Sequence, residues 1–319
     1  MSKRRSFLGP LILIPLLLIC LIGAAVYYAA YFYTPAEDRE YSSPYLKNID
    51  SQFVNTGGFK IHYTRSGNGP PVILVHGAAA WLYSYRNNVS LLSRSFAVYT
   101  LDMPGNGYTT PILKNPSYDF DMMSDVLLEF MNTMGIEKAN IVGHSSGGAW
   151  VLHFAYRNPG KVKKLVLIDS NGLDVPLRLT FKLFTYPVIG ELFSKFFTTE
   201  DVKTGLEDAF FDKTLVTDEM IGEIKAPLTY VENRRAQYLS IRNQDLKMTE
   251  EEMPHIGAPA LVIWGEDDLY LDSAMAQKFK EIMPDASVVI LEKCGHSAHE
   301  EKPDEVNRLI SEFFGAKMY

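Results

Sequence analysis

The sequence predicts an α/β protein in which a mostly parallel sheet is covered by helices on both faces, with one long apolar helix ahead of it. Three observations predict this. Short runs rich in β-branched residues (PVILV, FAVYTL, ANIVG, VKKLVLI, ALVIWG and ASVVIL) are mostly apolar, as strands buried on both faces are. Stretches of helical spacing separate most of them, and alternating strands and helices imply a parallel sheet. Finally, the segment from Phe7 to Tyr33 carries no charged residue.

The elements can be justified in chain order. A membrane-spanning helix needs about 20 apolar residues, whereas the core of a cleaved signal peptide has about 7–15. The first apolar run fits an anchor, and residues 1–35 are assigned to it. Small residues near its end (Ala24, Ala25, Ala29, Ala30) leave cleavage and secretion as the alternative. Pro10 and Pro15 are expected in the first turns, where proline costs least. Tyr27, Tyr28, Tyr31 and Tyr33 would form an interfacial belt. Lys3, Arg4 and Arg5 precede the run, and Glu37, Asp38, Arg39 and Glu40 follow it. The positive-inside rule then places the N-terminus in the cytoplasm and the rest of the chain on the far side.

Residues 36–52 read as a polar linker. A first part of the core, 53–172, opens with a hairpin turning at Thr56-Gly57-Gly58 and carries strands at 71–77, 96–102, 139–143 and 162–169. The spacing from Asp121 to Met134 predicts a helix that stops at Gly135. Between 173 and 254 no strong strand occurs, and short phenylalanine- and leucine-rich helical patterns predict a cap over the sheet. Leu192, Phe193, Phe196 and Phe197 have helical spacing, which predicts the packed core of a cap helix; an acyl pocket or contact with lipid would use the same residues. Residues 255–319 complete the sheet with two strands, a helix at 272–283 and a terminal helix started by Pro303.

Composition narrows the chemistry. There are 31 Lys and Arg against 38 Asp and Glu, a formal charge of −7, and no basic block beyond the first residues. Nucleic acid is excluded as a partner on that balance. Of the two cysteines, Cys20 lies in the apolar run, so no disulfide with Cys294 is expected, and no CxxC metal-ligand spacing occurs.

Gly143-His144-Ser145-Ser146-Gly147 matches G-x-S-x-G between a predicted strand and a predicted helix. The pentapeptide recurs by chance; its placement gives it meaning. A turn this tight pushes the serine out and leaves no room for large flanking side chains. A serine hydroxyl is a weak nucleophile, needing a base and a carboxylate to orient that base. WGEDD and CGH supply them just past the last two strands, in the order Ser, Asp, His.

With VHGAAA, DMPGNG, GHSSGG, WGEDD and CGH in this order, the chain from Phe53 to Phe314 resembles the capped serine hydrolases of the α/β-hydrolase superfamily. The resemblance implies Ser145 as nucleophile, His296 as general base and Asp268, the last residue of G-x-x-D, as its orienter. Asp267 and Asp169 are the other carboxylates at plausible positions. Backbone N–H groups of Ala78 and Ser146 would form the oxyanion hole, and His76 would fix that loop. His144 is expected to pack or tune, His299 to lie on the surface near a helix start, and His62, His153 and His255 to take no part. Asn106 and Tyr108 depart from the usual loop, which is structural. Asn88-Val89-Ser90 matches a glycosylation sequon of a kind that is mostly chance.

Serine rather than aspartate at the elbow separates the chain from haloalkane dehalogenases and epoxide hydrolases and makes acyl transfer its natural chemistry. The resemblance implies no metal and no cofactor. An anchored enzyme with a lipophilic cap looks like the monoacylglycerol-lipase type, so apolar or lipid carboxylic esters are the expected substrates. The same triad would serve a perhydrolase or a carbon–carbon bond hydrolase, and a non-catalytic binding protein could be built on the same fold. The topology is tested by protease added to intact cells or spheroplasts. Digestion of everything beyond Tyr33 is expected; full protection until the membrane is lysed would reverse it, and a mature N-terminus near Ala30 would show cleavage.

Overall fold

The computed structural model describes residues 8–33, 43–176 and 179–316. The basic and acidic flanks of the apolar run lie outside the described residues. The chain passes through α1 (Leu8–Tyr31), the single turn α2 (Pro44–Lys47) and a hairpin of β1 (Gln52–Thr56) and β2 (Phe59–Ser66). There follow β3 (Pro71–Val75), α3 (Val89–Leu92), β4 (Ala97–Leu101), β5 (Thr110–Pro111) and α4 (Phe120–Thr133). Next come β6 (Ala139–His144), α5 (Ser146–Arg157) and β7 (Val162–Ile168). The cap segment holds α6 (Leu179–Phe184), α7 (Pro187–Phe193), α8 (Thr199–Ala209), α9 (Asp218–Leu228), α10 (Val231–Asn243) and α11 (Leu246–Glu252). The sheet resumes with β8 (Ala260–Gly265), α12 (Ala274–Ile282) and β9 (Ala286–Leu291), before α13 (Ala298–Glu301) and α14 (Pro303–Phe314).

The nine strands form one sheet in the order β1-β2-β4-β3-β6-β7-β8-β9, with β5 added to β2. All pairs from β4 to β9 are parallel, and the hairpin side is antiparallel. Gly57 and Gly58 turn the hairpin at φ +57° and +78°, the left-handed pair that a two-residue turn matched to strand twist requires. Side chains alternate between two buried layers, as a pleated strand with both faces covered must arrange them. Ile73, Ile141, Leu165, Leu167 and Val262 meet α4, α5 and α12 through Phe130, Phe154 and Phe279. Val72, Leu74, Val142, Val166 and Ile263 meet α14 through Val306, Ile310 and Phe314.

Strand order reverses beside β3, which has β4 on one side and β6 on the other. In open α/β sheets the crevice past the carboxyl ends of strands at such a switch point is where ligands bind. A third cluster closes that end, where Trp81, Leu82 and Tyr83 pack on Val202, Phe210, Ile221, Ile224 and Leu228 of the cap.

Three readings change. The helix expected from Asp121 begins one residue earlier because Asp119 caps it, its carboxylate accepting the Met122 N–H at 2.8 Å. Pro15 stands two turns inside α1, where it removes an intrahelical N–H bond, rather than in the first turn. The cap aromatics are not core. Because α7 ends at Phe193 with Ser194 as its C-cap, the helical period does not carry on to Phe196 and Phe197. Phe193, Phe196 and Phe197 are 49, 59 and 37 % exposed, while Glu191, Ser194 and Lys195 are buried among them.

From Leu13 to Tyr31, α1 is long and apolar enough to cross a membrane, with a mean hydropathy of 2.3. Its C-terminal end packs on α7. Farther along, the chain is fastened to the cap again. Glu223 of α9, fully buried, accepts the Ser43 hydroxyl at 2.6 Å and the Tyr45 N–H at 3.0 Å.

Candidate active site

Between the last residue of β6 and the first of α5 stands Ser145 alone, at φ +51° and ψ −121°. A side chain in that conformation is strained and must be held by its surroundings. Here the Ser145 N–H donates to the Ile168 carbonyl at 3.0 Å, and its own carbonyl accepts from Gly148 at 2.9 Å and Asn171 at 3.0 Å. Neighbouring glycines let backbones close in. A Cβ on Gly147 would lie 2.3 Å from the His76 carbonyl oxygen, and one on Gly143 would lie 2.7 Å from the Gly147 carbonyl oxygen. The start of α5 is thereby pressed against the end of β3, with the free N–H groups of its first turn turned toward the crevice.

The residues singled out in sequence meet there. Ser145 Oγ lies 2.9 Å from His296 Nε2, and His296 Nδ1 lies 2.8 Å from Asp268 Oδ2. The other Asp268 oxygen accepts from the N–H groups of Tyr270 at 2.7 Å and Leu271 at 3.0 Å. With a carboxylate against Nδ1, that nitrogen carries the ring proton and Nε2 is left to accept from the serine. The Asp268 side chain is wholly buried and His296 nearly so. Tyr270 covers the imidazole, with ring centroids 5.0 Å apart.

Neither competing carboxylate reaches the ring. Asp267 is exposed, its backbone N–H bonded to the Cys294 carbonyl. Asp169 is buried and committed on both oxygens, accepting from Gly265 N at 2.7 Å and from Ala298 N at 3.1 Å. Burial first, and the Asp268 charge second, raise its pKa well above the ordinary carboxylate value. It joins the β8 end to the loop that carries His296.

The loop after β3 passes beside the serine: a Cβ on Gly77 would lie 3.0 Å from Ser145 Cβ. His76 fixes this loop through both ring nitrogens, with Nδ1 donating to the Gly77 carbonyl at 2.7 Å and Nε2 accepting from Met103 N at 2.9 Å. Burial lowers its pKa and keeps it neutral. The strained residue of the loop is Ala79, at φ +56°, and its N–H donates to Gln237 Oε1 at 2.9 Å. Gln237 belongs to α10 of the cap, and its amide nitrogen also donates to the Gly105 carbonyl and to Asn106 Oδ1. The cap thus holds the Ala78 loop and the DMPGNG loop together through one side chain. No motif marks Gln237; its only signal is a position on a polar helix. Asp102 organises the DMPGNG loop from the core side, accepting from Leu82 N, Tyr108 N and His62 Nδ1.

His144 donates from Nε2 to the His296 carbonyl at 2.8 Å, and burial pushes its pKa well down. His299, expected on the surface, is fully buried. The single turn α13 folds it inward against Tyr85 and His144, with ring centroids 4.7 and 4.5 Å away. Burial, then Arg86 and His296, lower its pKa to about 3. Asn88 of the sequon is also buried, donating to the His299 carbonyl and to Asn307, which excludes glycosylation of the folded chain. Among the described residues, no group of three or more His, Cys, Asp or Glu side chains is placed to hold a metal ion.

A family model described as alpha/beta hydrolase fold matches residues 70–203 and 209–303. A 2-hydroxy-6-oxononadienedioate/2-hydroxy-6-oxononatrienedioate hydrolase of Comamonas testosteroni is 30 % identical over 272 residues, covering 80 % of this chain and 91 % of that protein. The crystal structure of a meta-cleavage product hydrolase is similar with a TM-score of 0.72 and 26 % identity, over 84 % of this chain and 98 % of that one. The crystal structure of a membrane phospholipase A, called a bacterial virulence factor, has a TM-score of 0.72 and 25 % identity, over 95 % of this chain and 97 % of that one.

Two substitutions test the local argument. Gly147→Ala should lower stability by about 3 kcal/mol, because backbone has to move on both sides of the new methyl group; urea unfolding measures it. Gln237→Ala should reduce kcat on a soluble ester about tenfold, roughly 1.4 kcal/mol of barrier, with KM little changed. A loss confined to KM would mean that Gln237 serves binding instead of loop position.

Proposed function

The chain belongs to the alpha/beta hydrolase fold family, and from that premise we propose that it is a serine-dependent hydrolase that opens apolar carboxylic esters through an acyl-enzyme. The observation that carries this reading is the unbroken relay from Ser145 through His296 to Asp268. Ser145 Oγ attacks the carbonyl carbon and its proton passes to His296 Nε2. The imidazolium keeps its Nδ1–H on Asp268, which balances the new charge. The N–H groups of Ala78 and Ser146 receive the oxyanion, each worth about 3 kcal/mol in the transition state. Collapse expels the alcohol with the proton from Nε2. Water then enters, gives its proton to Nε2, and repeats the sequence to release the acid. No step calls for a metal or cofactor.

An apolar substrate is supported by where the described arginines of the cap, Arg234, Arg235 and Arg242, point. Arg234 donates to the carbonyls of Ser194, Leu228 and Thr229, Arg235 to Glu191, and Arg242 to the Tyr238 hydroxyl. A dicarboxylate would need such a cation turned toward Ser145. The match to the membrane phospholipase A reaches into the N-terminal helix, which favours a membrane-anchored enzyme acting on lipid esters. Under this reading α1 is the anchor and the hydrolase lies outside the cytoplasm.

A second reading is hydrolysis of a carbon–carbon bond beside a ketone. Relatives named as hydrolases of 2-hydroxy-6-oxo di- and trienoates back it more directly than they back ester cleavage. There Ser145 would attack the ketone carbonyl, and the proton on His296 would go to the departing carbon. A panel of esters of graded chain length beside a 2-hydroxy-6-oxo-dienoate decides between them. Turnover of the dienoate at least a hundredfold above that of every ester would replace the first reading.

Both readings share their residue test. Ser145→Ala should lose about a million-fold in kcat with the fold retained, since nothing else at the elbow can attack. Asp268→Asn should lose about 10⁴, as the same change does in serine proteases. Asp267→Asn should stay within about tenfold of the parent. Circular dichroism checks folding; a crippled Asp267→Asn beside an active Asp268→Asn would overturn the assignment of the acid.

A further inference from the structure

The segment after the middle of α7 is turned inside out. Its polar residues are buried and bonded: Glu191 to Arg235, Ser194 through its hydroxyl to the Glu191 carbonyl, and Lys195 through its ammonium to the Tyr33 carbonyl. Its aromatic residues face outward instead, Phe193, Phe196 and Phe197 being joined by Tyr186, which is 52 % exposed. A soluble surface gains nothing from this arrangement, and contiguous exposed apolar patches mark places of contact. The patch is also continuous with the end of the apolar helix. Tyr33 stacks on Phe196 with ring centroids 6.4 Å apart and planes 15° off parallel, and α1 packs on α7 up to the fully buried Ala30. Tyr27, Tyr28 and Phe32 stand exposed at the same end of α1.

We propose that the outward aromatic face of the cap, Tyr186, Phe193, Phe196 and Phe197, is a docking surface for the lipid bilayer that α1 enters. The inference rests on the reading of α1 as membrane-inserted. Tyrosine at the end of a span belongs at the headgroup level, where an amphipathic ring is apolar on one side and wet on the other. Phe196, stacked on Tyr33, comes to the same depth, and the neighbouring phenylalanines enter the acyl boundary as they do on interfacial helices. The cap then rests on the membrane instead of hanging from a tether, which brings the crevice above Ser145 close to membrane-borne substrate.

The full chain reconstituted in phosphatidylcholine vesicles provides the test. Its native tryptophans, Trp81, Trp150 and Trp264, are 0, 2 and 0 % exposed, so they give a quiet background. In Phe196→Trp, lipids brominated high in the acyl chain should at least halve the added fluorescence while leaving the parent emission unchanged. Wild-type chain that fails to float with vesicles would reject the membrane reading itself. Chain that floats while the added tryptophan stays unquenched would overturn the docking surface alone. Disulfide-linked dimers of Phe196→Cys without quenching of Phe196→Trp would assign the face to a second copy and overturn it too. The triple change Phe193→Ser, Phe196→Ser, Phe197→Ser should cost at least fivefold on a vesicle-borne long-chain ester and less than twofold on a water-soluble short-chain one. Equal losses on both would mean a structural role and overturn the proposal.

Discussion

The site depends on two stretches of backbone being closer than any side chain allows. The first turn of α5 lies against the end of β3, with the Gly147 Cα facing the carbonyls of Val75 and His76. That contact fixes the direction in which Ser145 projects and brings the Ala78 loop to its side. It also explains why strain at Ser145 persists. The turn is bonded to β7 through Ile168 and to the following loop through Asn171, so relaxing its φ would break contacts on several elements together. The catalytic geometry thus follows from packing between strands that the sheet order has already made neighbours.

Electrostatics around the relay is simple for a place with so many ionisable groups. His76, His144 and His299 are all kept neutral by burial, and burial raises the Asp169 pKa as well. The charge of Asp268 therefore has one partner to serve. In the proposed mechanism a proton taken up by His296 meets no neighbouring imidazolium, and the Asp268 carboxylate beside it is itself held by two backbone N–H groups. The low dielectric that disfavours charge on the bystanders strengthens the one pair that is used.

Much of this was legible in the sequence because it is local. Strands read as apolar runs, the elbow as glycines around a serine, and the acid and base as residues just past particular strands. The resemblance, through its G-x-x-D, preferred Asp268 to Asp267; why Asp169 is unavailable could not be read, since that depends on amides of Gly265 and Ala298 far apart in the chain. His299 was misread for a related reason: a short polar segment near a helix start is normally exposed, and only tertiary packing turns α13 inward. The cap aromatics misled because helical spacing was extended beyond the real end of α7. Neither Gln237 nor Glu223 lies in a motif. Each works by joining segments separated by more than a hundred residues.

Under the proposed anchoring by α1, Glu223 has a consequence for how the hydrolase domain would be released. Among the described residues no basic group pairs with this buried carboxylate, which accepts from the Ser43 hydroxyl and the Tyr45 amide, and a polar group stranded in a dry interior is costly. Cleavage of the chain ahead of Ser43 leaves that latch shut and releases an intact hydrolase. Cleavage just beyond Tyr45 removes both donors and lets water into α9, loosening the cap that holds the Ala78 loop through Gln237. Two cuts only a few residues apart would therefore give different products, one a shed enzyme and the other a discarded one.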